Sequence, residues 1–277
     1  MKIAQYYTNN QICLGLIQDN QLFPGNFQGD MIDFIKSSRK IKSSGNPIPI
    51  DLVRFAPCLS HPSKIIGIGL NYKDHIQESS GQLPEFPLIF AKFPESLTGH
   101  RTRIIWNGSL TEKVDFEAEL AVIIGKELKD CPEDSVMEGI FGYTCANDVS
   151  ARDLQFGDGQ WVRGKSLDTF CPLGPWIVTA DEIPDPHNLT IKSLLNGKVM
   201  QDSNTSYMLF KLPQLISFLS SNFRLVPGDV ILTGTPHGVG SFRDPSIYMK
   251  DGDKIEVEIE LVGRLENYCQ ILGQEEK

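Results

Sequence analysis

Residues 255–261 alternate without a break: Ile255, Val257, Ile259 and Leu261 are apolar, and Glu256, Glu258 and Glu260 stand between them. A period of two belongs to a strand with one face in a core and the other in water. Related signals recur upstream. Asn196-Gly197 separates apolar stretches at 191–195 and 198–201. An Asn-Gly pair in that setting marks a tight hairpin, because both residues tolerate positive φ. Residues 64–68 form a short apolar strand that stops at Gly69. In this larger part of the chain, helices are expected only over 132–141 and 213–222, with Pro213 suited to a first helical position. The repeated strand–helix alternation of a doubly wound sheet does not occur. The class is therefore mostly β with a few helices, an α+β arrangement.

Residues 1–60 read as a small N-terminal domain and linker, and 61–277 as the main domain. Strand-like pieces cover 3–7 and 12–17, and an amphipathic helix is expected over 31–41, with Asp30 as its N-cap. Pro47, Pro49 and Pro57 suit the linker. The formal net charge of -9 disfavours non-specific contact with nucleic acid or anionic lipid. No apolar run approaches the roughly 20 residues of a membrane span. The N-terminus lacks the basic-then-apolar pattern of a secretory signal. Six scattered cysteines without a C-x-x-C pair are expected to be free thiols, which makes the cytoplasm the expected location.

The segment 114–124, Val-Asp-Phe-Glu-Ala-Glu-Leu-Ala-Val-Ile-Ile, joins strand patterning to acids. In a strand, Phe116, Ala118, Leu120, Val122 and Ile124 share one face. Asp115, Glu117 and Glu119 project from the other, which continues as Ala121 and Ile123. Two readings satisfy this pattern. One is an exposed acidic face like that at 256–260. The other is a set of carboxylates crowded beside buried surface, where mutual repulsion would oppose ionisation unless a hard cation such as Mg²⁺, Mn²⁺ or Ca²⁺ took their oxygens as ligands. Asp148 ends a second apolar run, at Asn147-Asp148, and either points into a cleft or caps the turn that follows.

Three further segments carry functional residue types. His75 and Glu78, at i and i+3 after the Gly69 turn, pair on one face if the chain is helical there. They are then either a surface pair or a carboxylate-oriented general base. The polar, turn-rich stretch 79–87 suits a mobile lid. Residues 159–166 fit the G-x-x-x-x-G-K-[ST] phosphate-loop pattern. No buried strand precedes them, and Pro172, Gly174 and Pro175 prevent a helix from following, so nucleotide binding is rejected. Lys165 is left as a cation able to neutralise a carboxylate or an oxyanion. Gly234 and Thr235, where a strand enters a Gly-rich loop, either hold a carboxylate or form an ordinary tight turn.

Taken in order, these signatures resemble the fumarylacetoacetate hydrolase family. They are Gly69-x-Asn71-Tyr72-x-x-His75-x-x-Glu78, Lys92-x-Pro94-x-Ser96, Asp115-x-Glu117-x-Glu119-Leu120, Asn147-Asp148-x-Ser150-Ala151-Arg152-Asp153-x-Gln155, Arg163-Gly164-Lys165-Ser166-x-Asp168 and Thr233-Gly234-Thr235-Pro236. The resemblance spans roughly residues 60–270 and implies a β-roll with a small N-terminal domain, usually homodimeric. It also implies Mg²⁺ or Mn²⁺ on Glu117, Glu119 and Asp148, and a catalytic His75–Glu78 pair on a segment that orders with substrate. Lys165, Gln155 and Thr235 would contact a small 2-oxo acid. The expected reaction is hydrolysis of a C–C bond in an acylpyruvate-type 2,4-dioxo acid, with enolate charge stabilised by the metal. The same site suits an oxaloacetate decarboxylase or tautomerase, or a hydratase or isomerase. Val149 departs from the aromatic residue common after the Asn-Asp pair.

Overall fold

The computed structural model describes residues 1–37, 39–79 and 81–273. Its main feature is an 11-stranded sheet. From one edge its strands run Ile48–Pro49, Gln21–Pro24, Gln11–Gln18, Lys2–Thr8, Cys171–Thr179, Ile140–Asn147, Ala118–Ile124, Val230–Leu232, Ile65–Gly69 and Leu88–Lys92, and Leu97–Thr98 pairs with Cys171–Thr179. Against it lies a 5-stranded sheet in the order Lys198–Asn204, Thr190–Leu195, Lys254–Ile259, Gly263–Leu272 and Arg103–Asn107. Most pairs are antiparallel. Val230–Leu232 with Ile65–Gly69, Leu97–Thr98 with Cys171–Thr179, and Gly263–Leu272 with Arg103–Asn107 are parallel. The segments before residue 60 join the large sheet directly, through Lys2↔Val178 and Ile3↔Ile177.

The strand Ala118–Ile124 lies inside the large sheet and is buried throughout. Ala118, Leu120, Val122 and Ile124 pack with Ile191, Val257, Ile259 and Leu265 of the smaller sheet, and with Leu212, Leu215, Ile216 and Leu219 of the helix Leu212–Asn222. Ala121 and Ile123 face a second core with Ile3, Leu14, Met31 and Phe34. Both faces are thus apolar in mid-strand, and carboxylates are accommodated only where the strand begins, at the end of the sheet. This excludes the exposed acidic face as a description of Glu117 and Glu119.

The Asn196-Gly197 turn has positive φ at both residues, 52° and 79°, and joins Thr190–Leu195 to Lys198–Asn204. The helix Leu212–Asn222 begins with Pro213 in its first turn. Asp30 caps Met31–Ser37, its Oδ1 accepting from Asp33 N–H at 2.9 Å. The structure corrects three expectations. The helix expected over 132–141 is only the 3₁₀ turn Val136–Gly139, and Ile140–Asn147 is a strand paired on both sides, so sheet pairing overrides weak helical spacing. The alternation at 255–261 ends at Ile259, and Leu261 turns outward with φ 62°. Glu256 is buried, held by Lys254 and Arg264 at 2.9 Å each. The helix expected over 31–41 ends at Ser37, beside Ser38, which lies outside the described residues.

Candidate metal centre

Glu117, Glu119 and Asp148 are brought together by strand pairing. Ala118 pairs with Asn147, and Asp148 N–H donates to the Glu117 carbonyl at 2.9 Å, so the three acids sit where two neighbouring strands reach the same end of the sheet. One oxygen from each lies within 4.8 Å of the others, and all three residues are buried. Such an all-oxygen set fits a hard divalent cation. Glu119 carries the strongest sign of that fit. Its burial, reinforced by Asp148 and Glu117, pushes its carboxyl well above the ordinary 4.5. Against this it accepts one backbone hydrogen bond, from Gly234 at 2.7 Å. A divalent ion among the three acids removes that conflict.

Basic side chains hold the rest of the cluster. Lys165 Nζ donates to Glu117 Oε2 at 2.9 Å and to Asp148 Oδ2 at 2.6 Å. Lys92 Nζ donates to Asp148 Oδ1 at 2.6 Å and to the Lys165 carbonyl. Arg152 Nη1 lies 2.6 Å from Glu117 Oε1, and its Nε donates to Asp115 Oδ2 at 2.9 Å. Burial by itself would raise Glu117, but Lys165 and Arg152 more than offset it and hold the carboxyl far below its usual range. The reciprocal holds for Lys165, whose burial is outweighed by Asp148 and Glu117, so its ammonium is retained.

His75 lies on the short helix Lys73–Glu78 and is buried. Its Nδ1 is 3.1 Å from Glu78 Oε2. A carboxylate there accepts from Nδ1–H and leaves Nε2 as the basic nitrogen. His75, Glu117, Glu119, Arg152, Gln155 and Lys165 line a common cavity of about 80 Å³.

The segment 234–241 ties these parts together through four carboxylates. Gly234 N–H holds Glu119, His237 Nδ1 lies 2.9 Å from Asp74 Oδ2, and Gly238 N–H donates to Glu78 Oε1 at 2.9 Å. Gly240 and Ser241 N–H groups donate to Asp115 at 2.7 and 2.9 Å. The glycines are required by space. A Cβ at Gly240 would lie 1.8 Å from the Ile247 carbonyl, and Gly238 has φ +95° with Met200 O at 2.5 Å from a built Cβ.

The residues expected at the site thus converge, with two changes of detail. Gly234 directs its amide at the chain's own Glu119. Thr235 also lines the cavity, but its hydroxyl donates to the Ala118 carbonyl at 3.0 Å and accepts from Gln201 at 2.8 Å. Gln155 Oε1 accepts from Arg152 at 3.0 Å, which leaves its amide N–H groups. The phosphate-loop match lies on a turn and the four-residue helix Val162–Lys165, followed by the strand Cys171–Thr179. Residues 81–87 run as coil, and Ser80 lies outside the described residues. Sequence reasoning assigned no role to Lys92, Arg152 or Asp74, and it grouped Asp115 with Glu117 and Glu119, whereas Asp115 is held by Arg152 and by the Gly240 and Ser241 amides. The available signal was a lysine closing the apolar run Leu88-Ile89-Phe90-Ala91, where a cation needs a buried partner.

Residues 64–270 match the fumarylacetoacetate (FAA) hydrolase C-terminal family. A mostly β fold with this carboxylate centre therefore belongs to the fumarylacetoacetate hydrolase family, and the chain is an enzyme of that family. Among its relatives is the mitochondrial oxaloacetate tautomerase Fahd2a of Rattus norvegicus, 48% identical over 221 residues, which cover 79% of this chain and 70% of the relative. Of the solved structures, a fumarylacetoacetate hydrolase from Exiguobacterium antarcticum superposes with a TM-score of 0.89 at 34% identity, covering 98% of this chain and 99% of that one. Maleylpyruvate hydrolase from Sphingobium sp. SYK-6, solved with manganese(II) and pyruvate, superposes with a TM-score of 0.80 at 28% identity, covering 98% and 99%. No helix among the described residues is long and apolar enough to cross a membrane.

Proposed function

We propose that the protein interconverts the keto and enol forms of a small 2-oxo dicarboxylic acid, with oxaloacetate as the substrate, and that Glu117, Glu119 and Asp148 hold Mg²⁺ or Mn²⁺. The observation that carries this reading is the 48% identity to rat oxaloacetate tautomerase, joined to a cavity lined by His75, Glu117 and Glu119, with Asp148 within 4.8 Å of both acids. When bound, the ion supplies Lewis-acid stabilisation of negative charge on the substrate's oxygens.

The chain's own groups perform the proton transfer. Glu78, fixed by Gly238 N–H, holds His75 with Nε2 toward the cavity, and Nε2 takes the proton from the carbon next to the keto group. The electron pair moves onto the keto oxygen, and the proton returns there to give the enol. Lys165 uses two of its three N–H groups on Glu117 and Asp148, and the third is available to that oxygen. The amide N–H groups of Gln155, which lines the cavity, are available to a substrate carboxylate.

Hydrolysis of an acylpyruvate is the second reading. It is supported by the manganese- and pyruvate-bound maleylpyruvate hydrolase and by a His–Glu pair able to activate water. One spectrophotometric panel separates the two. With Mg²⁺ and oxaloacetate, enol absorbance should relax faster with enzyme present, with no release of pyruvate. Pyruvate release from acylpyruvates, with oxaloacetate unaffected, would establish hydrolysis instead. The dimer implied by the family resemblance is tested by sedimentation equilibrium.

A further inference from the structure

The cavity lined by His75, Glu117 and Glu119 is small, about 80 Å³, whereas pockets for larger ligands run to roughly 300–1,000 Å³. Beside it lies a mainly apolar groove of about 750 Å³, lined by Ile66, Leu88, Ala91 and Val162 among others. Two residues line both spaces, Phe90 and Trp161. Their rings meet at a centroid distance of 5.5 Å, tilted by 59°, and together form the partition between groove and cavity. The strand beneath is shaped to seat them. A Cβ at Gly67 would lie 2.2 Å from the Phe90 ring, and one at Gly69 would lie 2.5 Å from the Trp161 ring. Phe90 is also held from the site side, with Lys165 Nζ 5.1 Å from its ring centroid. Among the described residues no cation lies over the Trp161 ring. Its main chain starts the turn that carries Lys165, through Lys165 N–H to the Trp161 carbonyl at 3.1 Å, while its indole serves as wall.

From this arrangement we infer that Trp161 sets the length of substrate the enzyme accepts: its indole closes the cavity behind a short 2-oxo acid and keeps acids with an extended apolar chain out of the groove. The inference rests on the 2-oxo-acid reading of the cavity and adds to it which members of that class are refused and by what. Removing the indole should join the two spaces and give an aliphatic tail apolar surface to bury, at about fourfold in affinity for each methylene fully buried.

Oxamate and N-hexyloxamate test this, because both present a carboxylate beside a carbonyl and differ only in the tail. Calorimetry on the Mg²⁺-loaded full chain gives the affinity ratio of the two ligands for the natural sequence, Trp161→Ala and the milder Trp161→Leu. The natural sequence should favour oxamate. Either variant should shift the ratio toward N-hexyloxamate by at least about tenfold, and Trp161→Leu carries the test if the alanine variant does not fold. An unchanged ratio in a folded variant, or a natural sequence that already prefers the hexyl ligand, overturns the role of Trp161 while leaving the 2-oxo-acid site intact. Failure of both ligands to bind the natural sequence overturns the site reading itself, and the length filter with it. Oxamate binding without oxaloacetate turnover would refute only the tautomerase reaction.

Discussion

Replacing Glu119 with Gln should move stability in opposite directions with and without a divalent cation. In chelator, burial and the nearby Asp148 and Glu117 keep the Glu119 carboxyl well above its ordinary 4.5. Above pH 4.5 the folded chain therefore binds more proton there than the unfolded chain, which costs stability. At pH 7, roughly 2.5 units above 4.5, that cost has a ceiling of about 3 kcal/mol at about 1.36 kcal/mol per unit, however far the carboxyl is raised. Gln is neutral in both states and removes the cost, and its carbonyl oxygen can still accept from Gly234. The variant should melt higher by up to roughly 6 °C in EDTA, at about 2 °C per kcal/mol for a chain of this size. An acid raised in the folded state loses stability as pH climbs through its unfolded value. The gain is thus present at pH 7 and closes as pH falls toward 4.5. In Mg²⁺ at high excess the order reverses. The natural sequence gains about 4.1 kcal/mol at a thousandfold excess over Kd, more than that ceiling, and the variant, one charged ligand short, gains far less. Calorimetric melts at pH 5 to 8, in EDTA and in Mg²⁺, read both effects. A variant that melts lower in EDTA, or responds to Mg²⁺ like the natural sequence, would refute the assignment of Glu119.

Other perturbations test separate parts of the molecule. His75→Ala should lower turnover by at least about 100-fold, the lower range for a general base, while Mg²⁺ still raises the melting temperature; loss of both would break the division between base and metal ligands. His100 is held down to about 4 from 6.5, chiefly by burial and then by Arg101. A histidine depressed in the folded state contributes fully above 6.5, and that contribution drains away as pH falls to 4, by up to about 3 kcal/mol. His100→Asn, which keeps an acceptor for Glu266 N–H, should flatten the pH-dependence of urea unfolding across that window, and equal slopes would contradict the assignment. Gly240→Ala should cost about 1–3 kcal/mol, because its Cβ would meet Ile247 O and stand 2.6 Å from Asp115 Oδ1; an unchanged urea midpoint would show that the 234–241 segment yields freely.

The acids and the His–Glu pair were legible because each follows a local period: two for Glu117 and Glu119 in a strand, i and i+3 for His75 and Glu78 on a helix. Spacing marked the strand mate Asp148 only as a polar end to an apolar run, and the resemblance alone joined it to the acids, because its position against Glu117 depends on the Ala118↔Asn147 register, which sequence spacing does not encode. The same limit hid Lys92 and Arg152, whose partners lie 56 and 37 residues away along the chain. The overreach at 132–141 has a related cause: weak helical spacing there competes with pairing to two strands, one of them beginning 31 residues later, at Cys171. Phe90 and Trp161 carry no periodic signal in the sequence, and their seats over Gly67 and Gly69 emerge only from strand pairing in the fold.

The charges at the centre argue for an order of binding. Asp115, Glu117, Glu119 and Asp148 supply four buried carboxylates against three buried cations, Lys92, Arg152 and Lys165, so without an ion the cluster is neutral while Glu119 keeps its proton and minus one when all four ionise. An anionic substrate entering then meets no net positive charge in a region of low dielectric, where an unpaired charge is expensive. A divalent ion turns the net charge to plus one, and a single carboxylate then neutralises it. Cation first and 2-oxo acid second is thus the sequence the residues favour. Calorimetry with oxamate should therefore detect no binding in EDTA and clear binding once Mg²⁺ saturates the protein. Equal affinity in both conditions would show that Lys165 and Arg152 recognise the acid unaided, and the charge argument for the three-carboxylate centre would fail.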